Sequence, residues 1–249
     1  MAPAAKARNR YGLTHDPVIV HCPWPLRVRG GMFEQEWANA CRTALSDEQL
    51  RGLARELDGI TIVTYSNYGE KTLLERDLEF LGLENFVVLR TDARPWTQRY
   101  KLTLVLDWIA GGNCPTELLL CLDADDNLIV DDAGLIAERF RATECDILFG
   151  ATPANAPPST ECWSFECSVA EYTDPQHAHL NAGSFLGRAD FIENCAREIL
   201  DSARLDPSFC EAPKGFSDQL GWRRMHRKYY PRIKIDHACR VFLRFDHLR

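Results

Sequence analysis

A short apolar run that ends in a cluster of carboxylates constrains this chain most. The run Leu118–Leu122 (LLLCL) has the length of a strand, and Asp123, Asp125 and Asp126 follow it directly. An unbroken apolar run of this length is typical of a parallel strand that is covered on both faces. Ligands of open α/β sheets bind just beyond the carboxyl ends of such strands. The run therefore predicts an α/β sheet with acids at its ligand-binding edge.

Strand-like and helix-like segments alternate along the chain, which predicts a mostly parallel central sheet with helices on both faces. The expected strands are Val18–Cys22, Ile60–Tyr65, Phe86–Leu89, Leu118–Leu122, Asp146–Phe149, Leu180–Leu186 and Lys234–Phe242. The expected helices lie within Gln35–Leu57, Lys71–Leu81, Thr97–Ile109, Leu135–Thr143, Ala189–Arg204 and a stretch after Asp218. The segment from Ala151 to about His179 is rich in Pro, Ser and Thr near its start, and it predicts a long irregular loop that covers substrate. We expect residues 1–16 to be a disordered leader and residues 17–249 to form one domain.

Composition and charge narrow the function. No apolar run approaches the roughly 20 residues of a membrane span, and no export signal is evident, so we expect a cytoplasmic protein whose ten cysteines are mostly reduced thiols. The net charge is −7, yet residues 221–249 hold nine Lys and Arg against two acids. This basic tail would bind an anionic ligand or pack against the acidic body, which would itself repel nucleic acid.

The acid cluster has a metal interpretation and a simpler one. Clustered carboxylates repel each other and usually need a counter-cation. Oxygen ligands favour a hard divalent ion such as Mn²⁺ or Mg²⁺, and such ions commonly neutralise a diphosphate. The alternative is a solvated acidic turn after a strand, where Asp is common because it bonds to the local backbone.

Four segments resemble motifs of a known enzyme family. They are LDADDNLI at 122–129, HLNAGSFLGRADFI at 179–192, SDQL at 217–220 and IKIDHACRVF at 233–242. Their order and spacing resemble the glycosyltransferase domains of procollagen lysyl hydroxylase/glycosyltransferases and of procollagen galactosyltransferases, over roughly residues 58–245. The resemblance implies a GT-A, Rossmann-like nucleotide-sugar-binding fold and a metal-dependent hexosyltransferase that uses a nucleoside-diphosphate sugar, most simply a UDP-sugar.

Carried onto this chain, the resemblance implies three groups of site residues. The metal ligands would be Asp123, Asp126 and His237. The catalytic residue would be Asp218, although this chain has Ser217 where the family has the first acid of a pair. The substrate-binding residues would be Thr64, Tyr65, Trp96, Lys101, Asp125, Asn181, Gly183 and Gln219.

Individual roles follow from the same resemblance. Tyr65 would stack on a uracil ring, Trp96 would wall the nucleotide pocket, and Gly183 would let a sugar approach the backbone closely. Lys101 lies in WTQRYK, which lacks the family's glycine pair, so its backbone path can differ. Arg240 and Arg244 of the basic tail fit the stabilisation of a diphosphate leaving group.

Each of these residues also has an ordinary structural alternative. His237 could be a core histidine, Lys101 a solvated charge, and Ser217 or Asp218 a helix cap. The acceptor stays unidentified, and a small metabolite or a natural-product scaffold would suit a compact enzyme. The alternative functions are a metal-dependent nucleotidyltransferase or phosphohydrolase, or a non-catalytic binding module on the same fold.

Overall fold

A computed structural model describes residues 17–21, 57, 59–170, 177–206, 209 and 215–244. It also gives the backbone of two short strands, β1 (Ala7–Arg8) and β2 (Thr14–His15), which pair antiparallel. The rest of the predicted leader at residues 1–16 and the helices expected within Gln35–Leu57 lie outside the described residues, apart from Leu57.

A six-stranded sheet forms the centre of the described part. The remaining strands are β3 (Ile19–His21), β4 (Ile60–Ser66), β5 (Phe86–Arg90), β6 (Leu118–Leu122), β7 (Asn127–Ile129), β8 (Ile147–Thr152), β9 (His179–Arg188), β10 (Ile233–Ile235) and β11 (Phe242–Arg244). The large sheet has the order β10-β8-β9-β6-β4-β5, and a smaller sheet has the order β11-β3-β7. In the large sheet β9 runs antiparallel to both neighbours while the other pairs are parallel. The sheet is therefore mixed, with one reversed strand in an otherwise parallel arrangement.

Six helices of the described part cover this sheet on both faces. They are α1 (Leu73–Leu81), α2 (Arg99–Ala110), α3 (Gly134–Arg141), α4 (Thr160–Val169), α5 (Ala189–Leu205) and α6 (Asp218–Tyr229). The core on one face joins the sheet to α2, α5 and α6, and the core on the other joins it to α1, α3 and the small sheet. The predicted α/β class is confirmed, and the arrangement is compatible with a Rossmann-like fold.

Local signals explain where α1 begins and ends. Thr72 is the N-cap, its hydroxyl accepts from the amide of Glu75, and the Glu75 carboxylate accepts from the amide of Thr72. This reciprocal pair satisfies two amides that a helix start leaves unbonded. Gly82 follows the helix with φ 72°, a left-handed conformation that glycine adopts without a Cβ penalty. The helix predicted for Lys71–Leu81 is thus confirmed with a slightly later start.

Two regions differ from the sequence-based expectation. The segment predicted to be irregular from Ala151 onward continues β8 to Thr152 and then contains α4, whose start is capped by Ser159. The single strand predicted for Lys234–Phe242 is wrong, because β10 and β11 belong to different sheets. The carboxylate of Asp236 separates them, since it accepts the amides of Arg240, Val241 and Phe242 at 2.6–3.0 Å and so folds the chain into a turn.

Two further features concern the cysteines and the membrane. Seven of the ten cysteines lie among the described residues, and none of these seven is in a disulfide. Within the same residues, every helix is too short or too polar to cross a bilayer.

Candidate metal and substrate site

Three side chains converge at the carboxyl end of β6. Asp123 and Asp126 come from the turn between β6 and β7, and His21 comes from β3. One ligand atom of each residue lies within 4.8 Å of the others, and His21 Nε2 is 3.3 Å from Asp126 Oδ2. Two carboxylates and an imidazole are a suitable donor set for a divalent ion such as Mn²⁺. The predicted metal ligands Asp123 and Asp126 are therefore brought together, with His21 beside them.

The register of the small sheet delivers His21 to this place. His21 is paired with Asn127 of β7 on one side and with Arg244 of β11 on the other. Paired residues on adjacent strands point to the same face of a sheet. Segments near both ends of the chain thus meet beside Asp126, and Arg244 contributes a positive charge to it.

Asn127 and Gly183 fix the geometry of the acidic turn. The fully buried Asn127 amide donates to the backbone oxygens of Asp123 and Gly183 at 3.1 and 3.2 Å and to Asp126 Oδ1 at 3.3 Å. A Cβ at Gly183 would lie 2.8 Å from His21 Nε2 and 3.1 Å from Asp123 Oδ2. Only glycine leaves room for both side chains. Gly183 therefore shapes the cluster of His21, Asp123 and Asp126, which we call the metal group.

Lys101 links this group to the predicted catalytic residue. Its Nζ forms an ion pair with Asp123 Oδ1 and lies 3.6 Å from Asp218 Oδ2. Burial lowers the pKa of Lys101, but the two carboxylates outweigh burial and the pKa is raised. Lys101 is therefore held as a cation between Asp123 and Asp218.

The two acids of the metal group differ in their electrostatics. Burial raises the pKa of Asp123 to about 6, and the attraction of Lys101 offsets burial only in part. Burial also acts to raise the pKa of Asp126, but His21 and the nearby cations outweigh it and hold the pKa below its usual value. The negative charge on Asp123 is thus the less well compensated one.

The first turn of α6 supplies the polar groups on the other side of Lys101. Ser217 is the N-cap and accepts the amide of Leu220, while Asp218 Oδ1 accepts the amide of Gln219 at 2.8 Å and Asp218 Oδ2 faces Lys101. Gln219 Oε1 accepts from the amide of Ala182 at 3.3 Å and lies 3.5 Å from Asn181 Nδ2. Three predicted site residues, Asp218, Gln219 and Asn181, therefore lie beside one another.

Several other predicted residues are not members of the group of possible ligands His21, Asp123 and Asp126, although Tyr65 lies near enough for the charges of Asp123 and Asp218 to help raise its pKa. Asp125 Oδ1 accepts the amide of Leu73 at 3.4 Å, at the start of α1. Tyr65 is only 6% exposed and packs in the core on the side of α2, so its ring offers no open face for base stacking. Thr64 is fully buried in β4. Trp96 is half-buried against the same core, 5.8 Å from the Tyr100 ring.

His237 is not part of the metal group. It follows β10, its ring is buried, and its Nδ1 lies 2.7 Å from the carbonyl oxygen of His177. A carbonyl only accepts, so Nδ1 carries the proton. In the structure His21, and not His237, completes the group with Asp123 and Asp126.

The predicted cations of the tail have different surroundings. Arg244 Nη1 donates to Thr152 Oγ1 at 2.6 Å, and its charge helps to lower the pKa of Asp126. The Arg240 side chain is exposed, and its backbone carbonyl accepts from Arg139. Of the two, Arg244 lies where it acts on the site.

Sequence reasoning missed His21 and Asn127. His21 ends a predicted strand far from the acids along the chain, and its type, position and spacing match no motif. Asn127 lies inside the segment LDADDNLI, directly after Asp126. Its amide beside the clustered acids is the one local signal that could have identified it.

Comparison with known proteins adds no family to this picture. No protein-family model matches the chain, and no curated protein matches it at a significant level.

Proposed function

We propose that this protein is a metal-dependent glycosyltransferase that moves a hexose from a nucleoside-diphosphate sugar, most simply a UDP-sugar, to an acceptor hydroxyl. The observation that carries the proposal is the meeting of His21, Asp123 and Asp126 with Lys101 and Asp218 at the carboxyl end of β6. Ligands of α/β sheets bind at this edge. A GT-A-like fold, with the donor above the metal group, is part of the same proposal.

The donor set suits a resident divalent ion. His21, Asp123 and Asp126 would hold Mn²⁺ or Mg²⁺, and Gly183 leaves the space that they need. The ion would supply positive charge to the diphosphate oxygens of the donor and so make the nucleoside diphosphate a better leaving group. Lys101 and Arg244 lie beside the same acids as cations and would add to this stabilisation.

The first turn of α6 would serve the sugar and the acceptor. Gln219 and Asn181 would bind sugar hydroxyls by exchanging the bonds that their amides make to each other and to the backbone. The carboxylate of Asp218 lies beyond Lys101, 3.6 Å from its Nζ. An acceptor hydroxyl must lose its proton as the glycosidic bond forms, and the Asp218 carboxylate would be the base that receives it.

One observation weighs against the phosphohydrolase alternative. Such an enzyme would use Asp123 and Asp125 of the D-x-D pair together on one phosphate. Here Asp125 points to the start of α1, where it accepts the amide of Leu73. A nucleotidyltransferase would use the same metal group and is separated by its products, because it releases pyrophosphate and a glycosyltransferase releases a nucleoside diphosphate.

A two-part experiment tests the proposal. Calorimetry with UDP, in Mn²⁺ and in excess chelator, should show binding only with the metal, because the acids would repel a bare diphosphate. A panel of nucleotide sugars should then release a nucleoside diphosphate in Mn²⁺. Asp218→Asn should lower turnover by about 100-fold while leaving UDP binding at saturating Mn²⁺ intact. Binding of UDP at full affinity in chelator would refute the assignment. So would release of pyrophosphate from a nucleoside triphosphate and a sugar phosphate, with no nucleoside diphosphate released from any nucleotide sugar.

A further inference from the structure

We propose that Lys101 is an internal counter-cation that the divalent ion displaces from Asp123, so that metal loading transfers Lys101 to Asp218. The inference rests on the metal-binding part of the proposed function and not on glycosyl transfer itself. It makes Lys101 the residue that sets metal affinity and that connects the metal group to α6.

The geometry of Lys101 motivates the exchange. Its ammonium contacts Asp123 Oδ1 directly, whereas Asp218 Oδ2 is 3.6 Å away, at the edge of ion-pair distance. The Lys101 and Asp218 side chains are only 13% and 8% exposed, so water screens these charges weakly. One lysine therefore serves the buried Asp218 and the partly exposed Asp123, and it contacts Asp123, the proposed metal ligand, more closely.

A charge count explains why the lysine is there. Asp123 and Asp218 share one ammonium, that of Lys101, whereas the neighbouring Asp126 has His21 and the charge of Arg244 beside it. Removing Lys101 would leave Asp123 and Asp218 without the cation that they share. The lysine stabilises the metal-free site, and for the same reason it competes with any cation that binds Asp123.

Metal binding reverses this balance. A divalent charge at Asp123 repels an ammonium that touches the same carboxylate. The neighbouring residue Leu102 is buried in the core, so the backbone of α2 is fixed there and the flexible lysine side chain is the part that moves. Asp218 is the nearest remaining carboxylate, so Lys101 pairs with it more closely once the ion is bound.

The direct test measures Mn²⁺ alone, without nucleotide or turnover. Calorimetric titration of Lys101→Met should give Mn²⁺ binding about tenfold tighter than the unsubstituted protein, because a competing charge next to a ligand has been removed. Lys228→Met is the matched control. It removes the same charge from an exposed ion pair with Glu198, and its Mn²⁺ affinity should stay within about twofold of the unsubstituted protein. Equal or weaker Mn²⁺ binding by Lys101→Met would overturn the proposal.

A second variant covers the case in which Lys101→Met folds only with metal. In Asp218→Asn the lysine loses its alternative partner and stays on Asp123, so Mn²⁺ should bind several-fold more weakly. The same substitution made in Lys101→Met should have a smaller effect, since the exchange is already lost. An unchanged Mn²⁺ affinity in Asp218→Asn, or equal effects in both backgrounds, would overturn the exchange. A protein that shows the exchange but transfers no sugar would refute the proposed function alone.

Discussion

Two clusters among the residues that the structure describes each combine at least one carboxylate, a basic side chain and an imidazole, and their charges are compensated to different degrees. The closed cluster consists of Glu166 on α4, Arg223 on α6 and His179 on β9. The open cluster is the metal group with Lys101 and Asp218. In the closed cluster Arg223 Nε and Nη2 each donate to one Glu166 oxygen at 2.8 Å, and His179 Nδ1 is 2.8 Å from Glu166 Oε2.

Every charge of the closed cluster is compensated within it. The side chains of Glu166 and Arg223 are fully buried, and Arg223 also donates to the carbonyl of Pro157 and to Asn155 Oδ1. Burial acts to raise the pKa of Glu166, but the hydrogen bonds from His179 and Arg223 outweigh it and the pKa is lowered. A cluster so completely bonded has a structural role, tying α4 and the segment before it to α6 and β9.

The open cluster lacks this compensation. Burial raises the pKa of Asp123 to about 6, and His21 Nδ1 has no hydrogen-bond partner among the described residues. Asp123 and Asp218 share one lysine there. In the closed cluster a bound cation would have no unpaired negative charge to neutralise. In the open cluster it would neutralise charge that the protein leaves only partly compensated, so the open cluster is the better candidate for a cation site.

The largest expected effect breaks the closed cluster. Glu166→Gln keeps the shape of the side chain but leaves the Arg223 charge buried without its partner, which should lower the free energy of unfolding by about 3–5 kcal/mol. Chemical denaturation measures this loss. Glu161→Gln on the same helix is the control, because its ion pair with Arg227 is exposed and should be worth less than about 1 kcal/mol. If Glu166→Gln lowered the free energy of unfolding by less than about 1 kcal/mol, the closed cluster would not have a structural role.

The next effect is the pH dependence of stability that His226 imposes beside the closed cluster. Burial lowers the pKa of His226 from 6.5 to about 4, against the attraction of Glu166. Between those pH values the unfolded chain binds a proton that the folded protein does not, so stability falls by roughly 3 kcal/mol as the pH drops through this window.

His226→Phe should remove most of that dependence, since Phe keeps a ring against Phe165 and Tyr230. Unfolding free energies of both proteins at pH 6.5 and pH 5 supply the comparison. Asp123 has the opposite sign over the same range, because its raised pKa lets the folded state gain stability as the pH falls. The difference between the two proteins therefore isolates His226, and parallel curves would contradict the prediction.

The prediction with the smallest expected change in free energy tests which histidine belongs to the open cluster. His21→Ala should weaken Mn²⁺ binding by at least about tenfold, because it removes the one imidazole of the metal group. His237→Gln is its matched comparison at a buried histidine outside that group, and it should change Mn²⁺ affinity by less than about twofold. Metal titration by calorimetry measures both, and the opposite ranking would return the ligand role to His237.

The elements that the sequence predicted well have their boundaries marked by residues within or next to the element itself. The strand Leu118–Leu122 has the predicted bounds, because an apolar run with acids after it can only be buried up to the first charge. Helix α1 is framed by its capping pair and by Gly82. Asp123 and Asp126 belong to the same turn, so the sequence alone already placed them together.

Tertiary structure decided the partners of those acids. His21 and Arg244 reach Asp126 only through the register of two three-residue strands, which pair with each other across more than 200 residues of chain. Such short strands have too few residues for a periodic pattern, and their pairing depends on the rest of the fold being in place. The same cause explains why His21, and not the expected His237, is the imidazole beside the two acids. Residue types identify candidate ligands, but packing decides which imidazole comes within reach of both carboxylates.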